Sequence, residues 1–206
     1  MTYIIIFITV AISVTVLQTG RMRLTSKLGM RPYYAVHRRQ WYRVITHGFV
    51  HGDYIHLAVN MISFYSFGLY LESRFKALEA GGVIGNHTVA FLLLYFGGMV
   101  AASLYDLIRY RNNPGYNSIG ASGAVSAVIF ASIFFAPWKM IYFFGIIPMP
   151  GLIFGLLYLY YEWYSARNRH DNVNHIAHIF GALYGLIFPL LLNPSLIHTF
   201  LNGLKF

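Results

Sequence analysis

Apolar residues in this chain come in long blocks, and polar residues gather in short clusters between them. Six blocks approach the ~20 residues that cross a bilayer as a helix. Residues 2–17 carry no charge. They also lack a basic leader and a small-residue cleavage site, so the segment is read as a span that stays. The others cover about residues 54–72, 88–108, 119–136, 151–165 and 174–192. The pattern predicts an all-α polytopic membrane protein, a bundle of six transmembrane helices in one domain over residues 1–206.

The connections differ in character. Residues 18–53 hold Arg21, Arg23, Lys27, Arg31, Arg38, Arg39 and Arg43, interleaved with Tyr33, Tyr34, Trp41 and Tyr42. Amphipathic pieces of this kind lie in the membrane interface. Turns fall at 79–86 and at Asn112-Asn-Pro-Gly115. Pro137-Trp-Lys139 leads through Met140–Phe144 to Pro148 and Pro150, which predicts an irregular, shallow approach to the short fifth span. A polar loop over 165–172 precedes the sixth span, and Asn193-Pro194 stops it.

Composition agrees with the pattern. Hydrophobic residues make up 57% of the chain and charged ones 10%, against roughly 25% charged in soluble domains. A net charge of +9 raises nucleic acid as a partner. The basic residues, however, lie in loops beside spans, where anionic lipid headgroups are the expected partner and nucleic acid is not. Without cysteine there is neither a disulfide nor a thiolate metal site.

Polar side chains inside spans are costly and usually functional. Ser122 opens the fourth span within Gly120-Ala-Ser122-Gly123. Unpaired N–H groups and the positive end of the helix dipole would lie beside it, suited to an oxyanion. The alternative is small-residue helix packing, since Gly123, Ala127 and Ala131 form a stripe at spacing four. His56 and Asn60 sit one turn apart on the second span. His178 on the sixth shares a stripe with Gly181 and Gly185, three and seven residues on. From His175 the offset to Gly181 is six residues, about 600° of rotation, which turns that glycine some 120° away. The stripe therefore favours His178 over His175 as the residue brought near the serine.

Other chemistries use intramembrane histidines. A zinc protease would carry His-Glu-x-x-His, but His175-Ile-Ala-His178 lacks the glutamate. The acidic residues Asp53, Glu72, Glu79, Asp106, Glu162 and Asp171 are read as lying in loops or at span ends. A haem protein could use His56 and His178 as axial ligands, leaving Ser122 and Asn60 without a role. A transporter would show repeated halves and broken helices, and no such symmetry is visible.

The order and spacing of several motifs resemble the rhomboid intramembrane serine proteases across nearly the whole chain. They are Trp41-Tyr-Arg43-Val-Ile-Thr46, His51-x4-His56-x3-Asn60, Gly68-x3-Glu72-x-Arg74, Gly120-x-Ser122-Gly123 and His178-x2-Gly181-x3-Gly185. The resemblance implies a six-helix core, a membrane-embedded first loop, and a mobile fifth helix or following loop that admits substrate. It implies Ser122 as nucleophile and His178 as general base, acting as a dyad with no intramembrane aspartate. His56, Asn60 and the Ser122 backbone N–H would form the oxyanion hole. Gly120, Gly123, Gly181, Gly185, Arg43 and Glu72 would be supporting residues. Two departures stand out. Family members often carry an aromatic residue one turn after the serine, where this chain has Ser126. The implied topology also sets the most basic loops on the side opposite to the positive-inside rule.

The expectation is a serine endopeptidase that cleaves transmembrane segments of other membrane proteins without metal or cofactor. It is expected as a multi-pass protein of a cell (inner or plasma) membrane. The rival from another class is a catalytically inactive relative that binds membrane clients.

Overall fold

The computed structural model describes residues 1–19, 22–143, 146–169, 171 and 173–205. Arg21, Phe144, His170 and Asn172 of the predicted loops lie outside them. The described chain is mostly helical: α1 Thr2–Gln18, α2 Met22–Leu28, α3 Pro32–His37, α4 Arg43–Thr46, α5 Tyr54–Ala80, α6 His87–Arg109, α7 Ser122–Phe135, α8 Gly151–Asn168, α9 His175–Leu192 and α10 Ile197–Leu204. Strands β1 Met140–Phe143 and β2 Ile147–Pro150 pair antiparallel, with Met140 opposite Pro150.

Short polar side chains set several helix starts. Asp53 accepts the His56 N–H at 2.8 Å, Asn86 the Val89 N–H at 3.0 Å, and Asn174 the Ala177 N–H at 3.1 Å. Each satisfies a first-turn donor that has no partner within its own helix.

The core is built around α7, in which every residue from Gly123 to Phe135 is buried. It packs most extensively on α9, then on α6 and α5. Fourteen residues make a helix of only ~21 Å, too short alone for a ~30 Å hydrocarbon layer. Among the described residues, two helices qualify as membrane spans by length and composition, His87–Arg109 and His175–Leu192; Thr2–Gln18 and Ser122–Phe135 are shorter apolar helices. The six-span count is therefore not established by helix length and hydropathy. α5 and α8 carry polar side chains among their apolar residues, His56 and Asn60 in α5 and Glu162 and Arg167 in α8.

Three further findings differ from the sequence reading. The shallow approach to the fifth span is a β-hairpin, whose short exposed strand tolerates Pro148 and Pro150. An unforeseen helix, α10, packs beneath α7, with Phe200 stacked on Phe134 at 5.1 Å. The third correction concerns acids. Asp106 is 2% exposed within α6, Glu162 is 3% exposed within α8, and Glu72 lies inside α5. The predicted second span ends at Glu72, eight residues short of the end of α5, whereas Asp106 does lie in the last turn of α6 and is buried there all the same.

The basic connection is ordered by Arg43, which is buried. Its guanidinium donates to Gln40 Oε1 at 2.7 Å and to the carbonyls of Ser26 and Gly29 at 2.8 and 2.9 Å. Met30 and Ser118 exchange backbone hydrogen bonds of 2.8 and 2.9 Å, tying this connection to the segment before α7.

Candidate active site

The approach to Ser122 is fixed by backbone donors. Gly120 N–H donates to the His47 carbonyl at 2.9 Å, and Ala121 N–H to His51 Nε2 at 3.3 Å. The tautomer of His51 follows. Ser13 gives its hydroxyl proton to the Phe49 carbonyl at 2.9 Å, so His51 Nδ1–H must donate to Ser13 Oγ, also 2.9 Å away. Burial and the neighbouring His56 push the His51 pKa down to about 3, which keeps the ring neutral for this role.

With Gly120 and Ala121 committed, the Ser122 N–H has no partner among the described residues. Ser122 itself is half-buried as the first residue of α7. Gly120 has a φ of +117°, and a Cβ there would meet His56 Cε1 at 2.7 Å, so glycine is required for both reasons. The His56 ring thus lies against the backbone two residues before the serine and meets His51 edge-on at 4.9 Å. Asn60 is buried and spends one N–H on the His56 carbonyl at 2.9 Å.

α9 approaches α7 through glycine. A Cβ on Gly181 would lie 2.1 Å from the Gly123 carbonyl oxygen, and one on Gly185 would lie 2.1 Å from that of Ala127. The predicted stripe is therefore a backbone-to-backbone contact at parallel register. It sets the first turns of both helices, holding Ser122 and His178, side by side. Among the described residues no hydrogen bond joins Ser122 to His178. Such bonds are often long without substrate and tighten only on binding.

Sequence reasoning missed what holds His178. Its Nδ1 lies 3.0 Å from Glu162 Oε1, while His175 Nδ1 lies 2.6 Å from Glu162 Oε2. His175 Nε2 in turn faces Asp171 Oδ1 at 3.1 Å. The Tyr158 ring lies near-parallel to that of His178 at 6.4 Å and 25°, and its hydroxyl meets Ser126 Oγ at 2.8 Å. Tyr158 on α8 therefore fills the place of the aromatic that Ser126 lacks. The signal was a lone acid in an aromatic run, with Tyr158 and Glu162 one helical turn apart.

Glu162, His175 and His178 offer donor atoms within 4.8 Å of one another, a set that could hold a metal ion. α8 thus adds a carboxylate to the two histidines as a candidate third ligand, a role different from that of the general-base glutamate in His-Glu-x-x-His. The three also satisfy one another by hydrogen bonds alone. Beside Glu162 a cavity of about 430 Å³ opens among Met149, Phe154, Leu157, Tyr158 and Tyr161.

Of the remaining supporting residues, Glu72 accepts the Thr2 N–H at 3.0 Å and the Met1 ammonium. It ties α1 to α5, away from Ser122.

The family profile for the rhomboid domain matches residues 38–195, well over half of the chain. This chain belongs to the rhomboid family. Rhomboids are generally intramembrane serine proteases acting on transmembrane substrates. Similar curated proteins include the mitochondrial RHOMBOID-like protein 12 of Arabidopsis thaliana, 29% identical over 151 residues, which are 70% of this chain and 44% of that protein. The chloroplastic Rhomboid-like protein 11 of the same plant is 29% identical over 178 residues, 80% of this chain and 58% of that protein. The mitochondrial Rhomboid protein 1 of Saccharomyces cerevisiae is 27% identical over 150 residues, 70% and 40%. The chain spans about half the length of these relatives. Their names give mitochondrial or chloroplastic locations, which overturns the expectation of a cell or plasma membrane. Charge and hydropathy carry no address for a particular membrane.

Proposed function

We propose that this rhomboid is an intramembrane serine endopeptidase that cleaves transmembrane segments of other membrane proteins. Ser122 Oγ adds to the scissile carbonyl carbon while His178 Nε2 takes its proton. His178 then returns that proton to the leaving amine as the C–N bond breaks. The Ser122 N–H, His56 and Asn60 stabilise the oxyanion. The chain acts as one domain over residues 1–206 whose six longer apolar helices cross the bilayer. The names of its relatives favour a membrane of a mitochondrion or chloroplast. Membrane lipids contact the basic connection, and no metal or cofactor takes part.

The observation that carries this reading is the glycine contact between α7 and α9, which sets the turn holding Ser122 against the turn holding His178. A small, backbone-close seam at the start of two helices is what a serine and a base need to converge. The test is cleavage of a single-span substrate by purified protein, comparing wild type with Ser122→Ala. Loss of cleavage in the variant supports the reading. The rival reading is a client-binding rhomboid without activity. Substrate recovered intact in complex with the wild-type protein supports that reading instead.

A further inference from the structure

We propose that Glu162 is a positioning residue for His178, so that hydrolysis uses Ser122, His178 and Glu162 from α7, α9 and α8 and not a two-residue dyad. This rests on the reading of Ser122 as nucleophile and His178 as base.

The argument is one of counting protons. A carboxylate only accepts hydrogen bonds, so both Nδ1 atoms facing Glu162, on His175 and His178, carry hydrogen. His175 also presents Nε2 to the Asp171 carboxylate, so both of its nitrogens face acids. His178 donates through Nδ1 alone. Its Nε2 is then left with a bare lone pair, the tautomer a general base requires. Without an acceptor on Nδ1 the proton could sit on either nitrogen, and half of the useful orientation would be lost.

Burial argues the same way. An isolated carboxylate at 3% exposure is strongly disfavoured, and Glu162 is tolerated because two imidazoles face it. If its role were only to pin α8 to α9, the His175 pair would suffice. Instead each oxygen takes a different histidine. Tyr158, one turn earlier on the same face of α8, lies against the plane of the His178 ring while Glu162 holds its edge. Two contacts from one helix thus fix both tilt and rotation of the imidazole.

The chemistry balances without moving a further proton. When Ser122 Oγ bonds to the carbonyl carbon, its proton goes to His178 Nε2 and the ring becomes an imidazolium. Glu162 remains ionised and stabilises that charge through Nδ1–H. Among the described residues, the charged and titratable groups around His178 are Glu162 and Tyr158 on α8, His175 on α9 and His56 on α5, with Asp171 acting through His175. Removing the Glu162 charge disfavours the imidazolium form of His178.

The test uses the full chain with a single-span substrate. Glu162→Gln keeps the shape and removes the charge. Its kcat should fall by on the order of 10²–10⁴-fold with little change in KM. The acid limb of its pH profile should move to lower pH, and Glu162→Asp should restore part of the rate and return the limb toward wild type. Wild-type kcat and an unmoved pH profile in Glu162→Gln, with only a lowered melting temperature, overturn the proposal in favour of a structural ion pair. If Glu162→Gln does not fold, ¹⁵N-histidine NMR of the wild-type protein decides. Hydrogen on Nδ1 of His178 with Nε2 bare supports the proposal, and the opposite tautomer overturns it. Activity lost in EDTA and restored by zinc also overturns it, because the cluster then holds a metal. Ser122→Ala run in parallel separates this from the parent reading. Cleavage by that variant removes the nucleophile assignment itself, whatever Glu162 does.

Discussion

Gly181→Ala tests the α7–α9 seam most directly. The added Cβ would lie 2.1 Å from the Gly123 carbonyl oxygen, 2.8 Å from its carbon and 3.1 Å from its Cα. All three atoms are backbone, so no side chain can swing away, and α9 must retreat by about 1 Å to reach ordinary contact. Overpacking of this kind costs roughly 1–3 kcal/mol. The larger effect is on geometry. His178 lies one turn earlier on the same stripe, and a displacement of about 1 Å at a reacting group typically costs ~10²-fold. Gly181→Ala should therefore fold, melt at lower temperature, and cleave with kcat/KM down by about 10²-fold. Gly85→Ala is the control, because nothing lies within 4 Å of its Cβ position. Its stability should stay within about 0.5 kcal/mol of wild type. The assays are thermal unfolding and initial cleavage rates under the same conditions. Wild-type melting and wild-type cleavage in Gly181→Ala would refute both the close approach and its link to the site.

Three further outcomes follow from the geometry. His178→Ala should abolish cleavage while His175→Ala keeps a measurable fraction, because His175 is tied to His178 through Glu162 and an edge-on ring contact rather than facing Ser122; the reverse pattern in parallel rate measurements would move the base one turn. Asn60→Ala and His56→Ala should each lower turnover by about 10²–10³-fold if they stabilise the oxyanion, and wild-type rates in both folded variants would separate α5 from the chemistry. Burial lowers the pKa of His47 to about 4 and that of His51 to about 3, below the ordinary 6.5. The unfolded chain therefore binds more protons, so their contribution is full above pH 6.5 and is lost as pH falls toward 4, by up to roughly 2.7 kcal/mol per unit for the two together. Melting temperature measured from pH 8 to 4 should show that decline, and a profile flat over this range would refute the neutral, buried assignment.

What the sequence made legible was periodicity along single helices. The stripe His178–Gly181–Gly185 was readable because spacing of three and four fixes a face without knowledge of the partner. The structure then supplied the partner, the Gly123 and Ala127 carbonyls. Gly120 was readable as a small residue, but its positive φ and the His56 ring against it depend on a chain crossing. Glu162 could not be placed, because its value depends on two histidines thirteen and sixteen residues away on another helix. The hairpin at 140–150 was missed for a similar reason. Two prolines suppress a helix prediction, but strand pairing needs the register with Met140–Phe143. The six spans were drawn from apolar blocks, whereas burial of α7 inside its neighbours relaxes the length each helix must have.

The placement of Tyr158 and Glu162 on one helix bears on how access and activation are related. α8 leans chiefly on α9, touches α7 only slightly, and exposes Leu156, Leu157, Tyr160 and Trp163. It is thus the long helix beside the site that can move at least cost in buried contacts. The family resemblance assigns the fifth helix, or the loop after it, to substrate access. In this chain that helix also carries both contacts that hold the imidazole of His178. An outward lean of α8 as a rigid body withdraws the carboxylate and the ring together, leaving His178 free to rotate. Phe154 stacks near-parallel on Tyr158 at 5.9 Å, so loosening α8 at Phe154 disturbs the base and does not simply widen a gate. Trp163 differs, since it is exposed and covered by Arg167 at 4.4 Å, outside the path from α8 to His178. If α8 leans outward to admit substrate, access and activation become alternating states of one element, because both contacts on His178 come from the helix that moves.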